Sequence, residues 1–522
     1  MLRRRKLLCL LALAAALGWA QVPGPARPRL VLAVIVDQFR YDYLLRFRAD
    51  YHGGLARLLE RGAFFTDAHY LHAYTVTAVG HATFLTGATP SESGIVGNEW
   101  YDRGAGKTVT SVTDATTQAV GGAPGAGGSS PRRLLVSTVG DEVKMGIPGS
   151  KVIGISIKDR AAILPSGHMA DAAYWYDAAS NRWVTSSYYR GDLPAWVKSL
   201  NDEKIYQRYE RARWLPVDST NDSGAAFCTM AAGTAERHCE SLEATPWGNE
   251  MIEQMAERAL QNEDLGRHPG VDVLTVSFSS NDYAGHVFGP DDPAIRDLSI
   301  RTDRLLAKLF DAADRQAGAG KTLIVLSADH GVSPLPEVNQ ARHMPGGRLS
   351  ADGFKKAVNA ALVERFGPGD WLLPSGTDML YLNLKLAASL KLDRAEVERL
   401  AAAAARAQDH IARVYTSQDL ASGNVQQDAI GRAFSLAFYG PRSGNLMILP
   451  EPYYTFYATS AFHGTPYDYD THVPVFFMGP GIKAGTYPGK IAVNDVAPTL
   501  SALLGVEQPS GSIGRVLSEM MQ

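Results

Sequence analysis

Four continuous apolar runs of strand length, each delivering charge at its end, constrain this chain more than any other feature. They are RLVLAVIVDQFR with Asp37, SKVIGISIKDR with Lys158, VDVLTVSFSSND with Asp282, and KTLIVLSADHG with Asp329 and His330. Runs of this kind read as strands buried on both faces. Between them lie the amphipathic helical segments GGLARLLERG, EMIEQMAERALQNE and DPAIRDLSIRTDRLLAKLFDAADRQAG. The alternation predicts an α/β core, a largely parallel sheet with helices on both faces. In open sheets of this class ligands bind beyond the carboxyl ends of the strands. A lone strand-end Asp ordinarily starts a turn or caps a helix, but four charged ends at one edge point to a site.

Two stretches interrupt the pattern. Residues 165–248 are rich in Trp, Tyr and polar residues, and residues 336–445 carry separate helical segments, GFKKAVNAALVERFG and RAEVERLAAAAARAQ. Both read as insertions that cover the active edge of one catalytic domain, residues 21–522. The core resumes with DTHVPVFFMGPGI and a last helix in DVAPTLSALLG, and GGAPGAGGSSPRR, residues 121–133, reads as a flexible loop.

The first twenty residues have the pattern of an export signal: basic MLRRRK, apolar LLCLLALAAALGWA, and the small Gly18 and Ala20, with cleavage expected near Ala20. The apolar run is short for a bilayer span, and no later stretch has spanning length and apolarity. A periplasmic or secreted protein is expected. Cys9 would leave with the signal, and an oxidising destination then predicts a disulfide between the remaining Cys228 and Cys239. A formal net charge of −3 offers no broad basic surface to nucleic acid or an anionic membrane.

The candidate metal ligands are carboxylates and imidazoles: Asp37, then Asp282 and His286 in NDYAGH, Asp329 and His330 in ADHG, and His463 and His472 in FHGTPYDYDTHVP. This donor set suits zinc, with harder ions such as Mn²⁺ also fitting, and it exceeds the needs of one tetrahedral site. Two ions about 4 Å apart clamp both the attacking and the leaving oxygen of a phosphoryl displacement. A hydroxyl-rich segment, YTVTAVGHATFLTG, lies between the first and second ligands, at a helix start whose free N–H groups suit an anion.

In order along the chain, VIVDQFR, TVTAVGHATFLTG, GIVGNEW, IKDR, NDYAGH, ADHG and HGTPYDYDTHVP resemble the motifs of the alkaline phosphatase superfamily. The resemblance is to the bacterial phosphate-irrepressible alkaline phosphatases with a threonine nucleophile, to which nucleotide pyrophosphatase/phosphodiesterases are close relatives. It implies an alkaline-phosphatase-like fold with cap insertions, small phosphate monoesters as substrates and a phosphothreonine intermediate. His81 and Asn98 select Thr77 as the nucleophile by their family spacing, leaving Thr75 as a helix-entry residue, Thr83 as a helix-face residue and His81 structural. By the same resemblance two Zn²⁺ are held, one by Asp37, Thr77, Asp329 and His330, the other by Asp282, His286 and His463. His472 is the rival for the last position, which the family pattern gives to His463. Lys158 and Arg160, alternating on an extended chain so that both face one way, and Asn98 grip phosphate oxygens. The phosphodiesterase branch typically lacks the Lys–Arg pair and has Pro-Asn where this chain has Val79 and Gly80, which favours a monoesterase. A sulfatase is disfavoured because no cysteine lies near the nucleophile segment. The alternatives are a diesterase on the same core and an inactive binding protein, and the sequence leaves the oligomeric state open.

Overall fold

The structure, a computed structural model, describes residues 27–219 and 224–522. The expected export signal, with Cys9, lies outside the described residues. The main sheet uses β1 (Leu30–Val36), β2 (Ala63–Phe65), β3 (Val152–Ser156), β4 (Ala172–Asp177), β5 (Arg182–Ser186), β6 (Asp272–Phe278), β7 (Thr322–Ser327) and β8 (Val475–Met478). Its central run, β7-β1-β6-β3-β4, is parallel throughout. Antiparallel strands flank it, β8 beside β7 and β5 beside β4.

Strands β1, β3, β6 and β7 are buried at every residue, because helices cover a parallel sheet on both sides. The helices used below are α1 (Gly54–Arg61), α2 (Thr77–Thr86), α3 (Asp159–Ile163), α4 (Pro246–Asn262), α5 (Ser280–Phe288), α6 (Pro293–Ala317), α7 (Ala351–Phe366), α8 (Arg394–Arg406) and α9 (Val496–Leu504). One packed group joins α1, α4 and α6, and another joins α2, α3 and α9. Residues Ile35, Ser277, Ser327 and Ser156 stand in register across the four central strands. The strands therefore end together, and the residues that follow them meet at one edge.

The two interrupting stretches differ. Residues 172–186 supply β4 and β5, so the first stretch extends the main sheet as well as departing from it; the aromatic AAYWY of β4 is buried on both faces like any inner strand. Farther on, Cys228 and Cys239 are joined as a disulfide, with Cα atoms 5.0 Å apart. The second stretch carries α7, α8 and the strands Met379–Leu380 and Ile411–Thr416, which pair on either side of Leu446–Pro450 just beyond it, and has its own core around Val358, Leu362, Trp371 and Val397. The glycine-rich segment 121–133 is not wholly loop: Gly127–Ser129 pairs with Thr113–Val120 at the sheet edge. Gly128 passes so close to the Thr117 side chain and backbone that a Cβ would collide there.

Candidate active site

Asp37 follows β1, and Asp329 and His330 follow β7. All three are fully buried, and each offers a ligand atom within 4.8 Å of the others. His330 uses Nδ1 on the Gly331 carbonyl at 2.9 Å, the tautomer that leaves a lone pair on Nε2. That Nε2 lies 3.6 Å from Asp37 Oδ1 and 3.4 Å from Asp329 Oδ2. Among the described residues none of these three atoms has a hydrogen-bond partner, while Asp329 Oδ2 also lies 3.2 Å from His81 Nδ1. Burial, with Asp37 close by, holds the Asp329 carboxyl well above the usual range, and burial with His463 keeps His330 neutral. Buried acceptors left unpaired are costly, and three converging on one spot fit a bound cation.

A second group sits beside it. Asp282 and His286 are four apart on α5, and His463 comes from a loop. His286 Nε2 is 3.2 Å from Asp282 Oδ1, His463 Nε2 is 3.5 Å from the same oxygen, and the two Nε2 atoms are 3.3 Å apart. Both Nδ1 atoms are spent on backbone carbonyls, His286 on Ala461 at 2.7 Å and His463 on Thr75 at 2.9 Å. Neighbouring donors on a tetrahedral zinc with bonds of about 2.0–2.1 Å stand about 3.3 Å apart. This triangle therefore has the dimensions of one tetrahedral face. The His330 and His463 rings stack 3.6 Å apart and 13° from parallel, so their in-plane lone pairs run side by side and do not meet.

Lys158 joins the two groups. Its ammonium is 2.6 Å from Asp37 Oδ2, 2.5 Å from Asp282 Oδ2 and 3.5 Å from the Thr77 hydroxyl. Burial works against its charge, but Asp282 and Asp37 outweigh it and raise its pKa. Thr77 opens α2 behind Val76, and Gly80 lets that helix press on the strand-end backbone of Asp329, where a Cβ would collide. Asn98 accepts from the Ala78 N–H at 2.8 Å through Oδ1, which leaves its amide N–H groups to donate elsewhere.

Arg160 departs from the extended alternation expected of it. The chain turns into α3 directly after Lys158, so the two side chains are set by a helix start rather than a strand. The Arg160 guanidinium has no hydrogen-bond partner among the described residues, and its Nε is buried. Of the other hydroxyls, Thr75 donates to the Thr465 carbonyl at 2.9 Å and Thr83 pairs with His72. His81 pairs with the Thr77 carbonyl and Ser277 and is pushed down to about 4, chiefly by burial. His472 lies apart, with Nε2 on the Thr66 carbonyl at 3.0 Å and its ring on Tyr41.

Gln38 carries no signal in the sequence beyond its place after Asp37. Its backbone is left-handed, with φ 59°. Its N–H donates to Asp329 Oδ1 at 3.0 Å, and its side-chain amide donates to Asp282 Oδ1 at 2.7 Å. One residue thus orients a carboxylate in each group, and Gly285 leaves room for it, since a Cβ there would strike the Gln38 amide.

The model of the type I phosphodiesterase/nucleotide pyrophosphatase family matches residues 31–472. Alkaline phosphatase PafA of Elizabethkingia meningoseptica is 33% identical over 99% of this chain and 99% of its own. Alkaline phosphatase PhoV of Synechococcus elongatus is 32% identical over 95% of this chain and 94% of its own. The crystal structure of wild-type PafA superposes with a TM-score of 0.88 at 32% identity, covering 96% of this chain and all of that one. With buried carboxylate and imidazole groups at the strand ends and full-length relatives of this kind, the chain belongs to the type I phosphodiesterase/nucleotide pyrophosphatase family, among its bacterial alkaline phosphatases.

Proposed function

We propose that this protein is an exported, two-zinc alkaline phosphatase that hydrolyses phosphate monoesters through a phosphothreonine at Thr77. The observation that carries the reading is the contact of one buried ammonium, Lys158, with Asp37 of the first group, Asp282 of the second and the Thr77 hydroxyl. The hydroxyl therefore lies where the two groups meet. Asp37, Asp329 and His330, with Thr77, would hold one ion; Asp282, His286 and His463 would hold the other. Side-by-side lone pairs on His330 and His463 support two ions rather than a shared one.

In the reaction, Thr77 Oγ1 gives its proton to solvent and attacks phosphorus in line. The new P–O bond forms as the bond to the alcohol oxygen breaks, and the departing alkoxide takes a proton from solvent and leaves as the alcohol. Water then attacks the phosphothreonine, releasing inorganic phosphate and restoring the hydroxyl. Zinc, when bound, supplies Lewis acidity that favours the ionised hydroxyl and charge on the departing oxygen. The Asn98 amide and the unpartnered Arg160 guanidinium donate to phosphoryl oxygens, and the N-terminus of α2 adds a favourable dipole. Lys158 adds a positive charge at the same place. A dianionic monoester gains more from these cations than a diester with one negative charge, which favours the monoesterase over the diesterase reading.

Matched phosphate monoester and diester substrates, assayed on a sample whose metal content is measured, test the proposal. A marked monoester preference with about two zinc ions per chain is expected. Diester preference, or full activity with at most one ion, would overturn it. Export is tested by the N-terminus of the mature protein, expected just after Ala20.

A further inference from the structure

Beside the Thr77 segment lies a cavity of about 180 Å³, bounded by Val76, Asn98, Glu99, Tyr457 and Asp378 among others. Val76 precedes the nucleophile and Asn98 faces its helix start, so the cavity opens from the point where phosphoryl chemistry would occur. Asp378 belongs to the second inserted stretch and also borders a smaller cavity that reaches His463. Its backbone is tied to the nucleophile segment, because the Tyr74 hydroxyl donates to the Asp378 carbonyl at 2.6 Å. Tyr457 lines both cavities.

The walls of this cavity carry two carboxylates and, among the described residues, no cationic side chain. Asp378 is exposed and lines the cavity, and its carboxylate has no hydrogen-bond partner among the described residues. Lys355 is near enough to favour its charge, and an exposed carboxylate is ionised at alkaline pH. Arg103 and Arg442 stand behind the Tyr381 and Trp100 rings and are tied to backbone carbonyls, Arg103 to Ser443 and Arg442 to Gly94 and Arg133. Lys355 stands behind the same wall, donating to the Ser375 carbonyl, so among the described residues Glu99 and Asp378 are the charged side chains that line the cavity itself.

We propose that this cavity receives the alcohol portion of the substrate and that Asp378, with Glu99, selects against alcohols bearing a second anionic group. Monoesters of neutral or cationic alcohols are then the preferred substrates. The inference rests on the phosphatase reading above. A unit charge at this range changes transition-state binding by roughly three- to tenfold, and salt screens the effect.

The test uses three phenyl phosphates that carry trimethylammonium, hydrogen or carboxylate at the same ring position. The kcat/KM ratio of the cationic to the anionic substrate is read at alkaline pH and low salt. Intrinsic leaving-group reactivity cancels when a variant is compared with the wild type. Asp378→Asn should lower that ratio about tenfold, Glu99→Gln should lower it by a smaller factor, and about 1 M salt should compress the wild-type ratio. An unchanged ratio in both variants would overturn the inference and leave the phosphatase reading standing. If Asp378→Asn does not fold, an unchanged ratio in Glu99→Gln is sufficient to overturn it. Wild-type protein inactive on all three esters would overturn the phosphatase reading, and this inference with it.

Discussion

The two candidate ligand groups beside Thr77 use similar atoms in different surroundings. Asp37, Asp329 and His330 are sealed from solvent; Lys158 holds one Asp37 oxygen and Gln38 one Asp329 oxygen, but one donor atom on each of the three residues has no hydrogen-bond partner among the described residues. In the second group the His286 side chain keeps 26% of its exposure, and Asp282 has both Gln38 and Lys158 as partners. The first group is therefore badly satisfied without a cation, and the second is largely satisfied by the protein. A buried acceptor with no partner loses its hydration without recompense, so an ion should contribute more to folding in the first group and exchange more readily from the second.

The largest effect should come from the residue shared between them. Thr77→Ala should lower monoester turnover by roughly a thousandfold or more, while Thr77→Ser keeps a substantial part, since the proposed reaction needs only the hydroxyl. Trapped phosphate should map to Thr77; phosphate on Thr75 or Thr83 would break the account of where the groups meet. Next in size, Lys158→Ala with Arg160→Ala should reduce monoester kcat/KM by about a hundredfold or more and diester hydrolysis much less, because each charge-assisted hydrogen bond is worth about 1.5–3 kcal/mol. Equal losses would assign the pair to structure or to general anion attraction.

Smaller differences sharpen the contrast. His330→Ala should cost more thermal stability of the zinc-loaded protein than His286→Ala, and stepwise chelation should remove the second group's ion first; metal analysis along a melting series checks both. Equal retention of the two ions would remove the distinction. Glu253 on α4 gives a control, a buried carboxylate whose Oε1 has, among the described residues, no hydrogen-bond partner and no converging ligands. Burial and Glu257 raise it to about 7 against Lys308. Because its folded pKa lies above the unfolded value, its contribution is complete below about pH 4.5 and is lost as pH rises through 7. Glu253→Gln should therefore stabilise the protein by about 1–3 kcal/mol at pH 8, with the difference vanishing below about pH 5, as followed by denaturant unfolding.

The strands and their charged ends were legible because a doubly buried strand must be a continuous apolar run, and Asp37, Lys158, Asp282 and Asp329 stop those runs abruptly. The donor types were legible for the same reason, since carboxylate and imidazole side chains so close to a core demand a partner. Lys158's bridge between carboxylates was not, because it depends on strand register rather than local pattern. Nor was Gln38, whose role needs a left-handed backbone that no spacing announces. Arg160 was misplaced because a strand-like alternation was extended past the residue where the helix begins. Asp378 lies far along the chain and reaches the cavity only through the packing of a separate lobe.

Crystals of the zinc-loaded protein, measured across the zinc absorption edge, test the central claim most directly. The account predicts two anomalous peaks about 4 Å apart, one ligated by Asp37, Asp329 and His330 and the other by Asp282, His286 and His463, with the Thr77 hydroxyl beside the first. A single peak shared by both groups, in protein that retains full monoester activity, would contradict it.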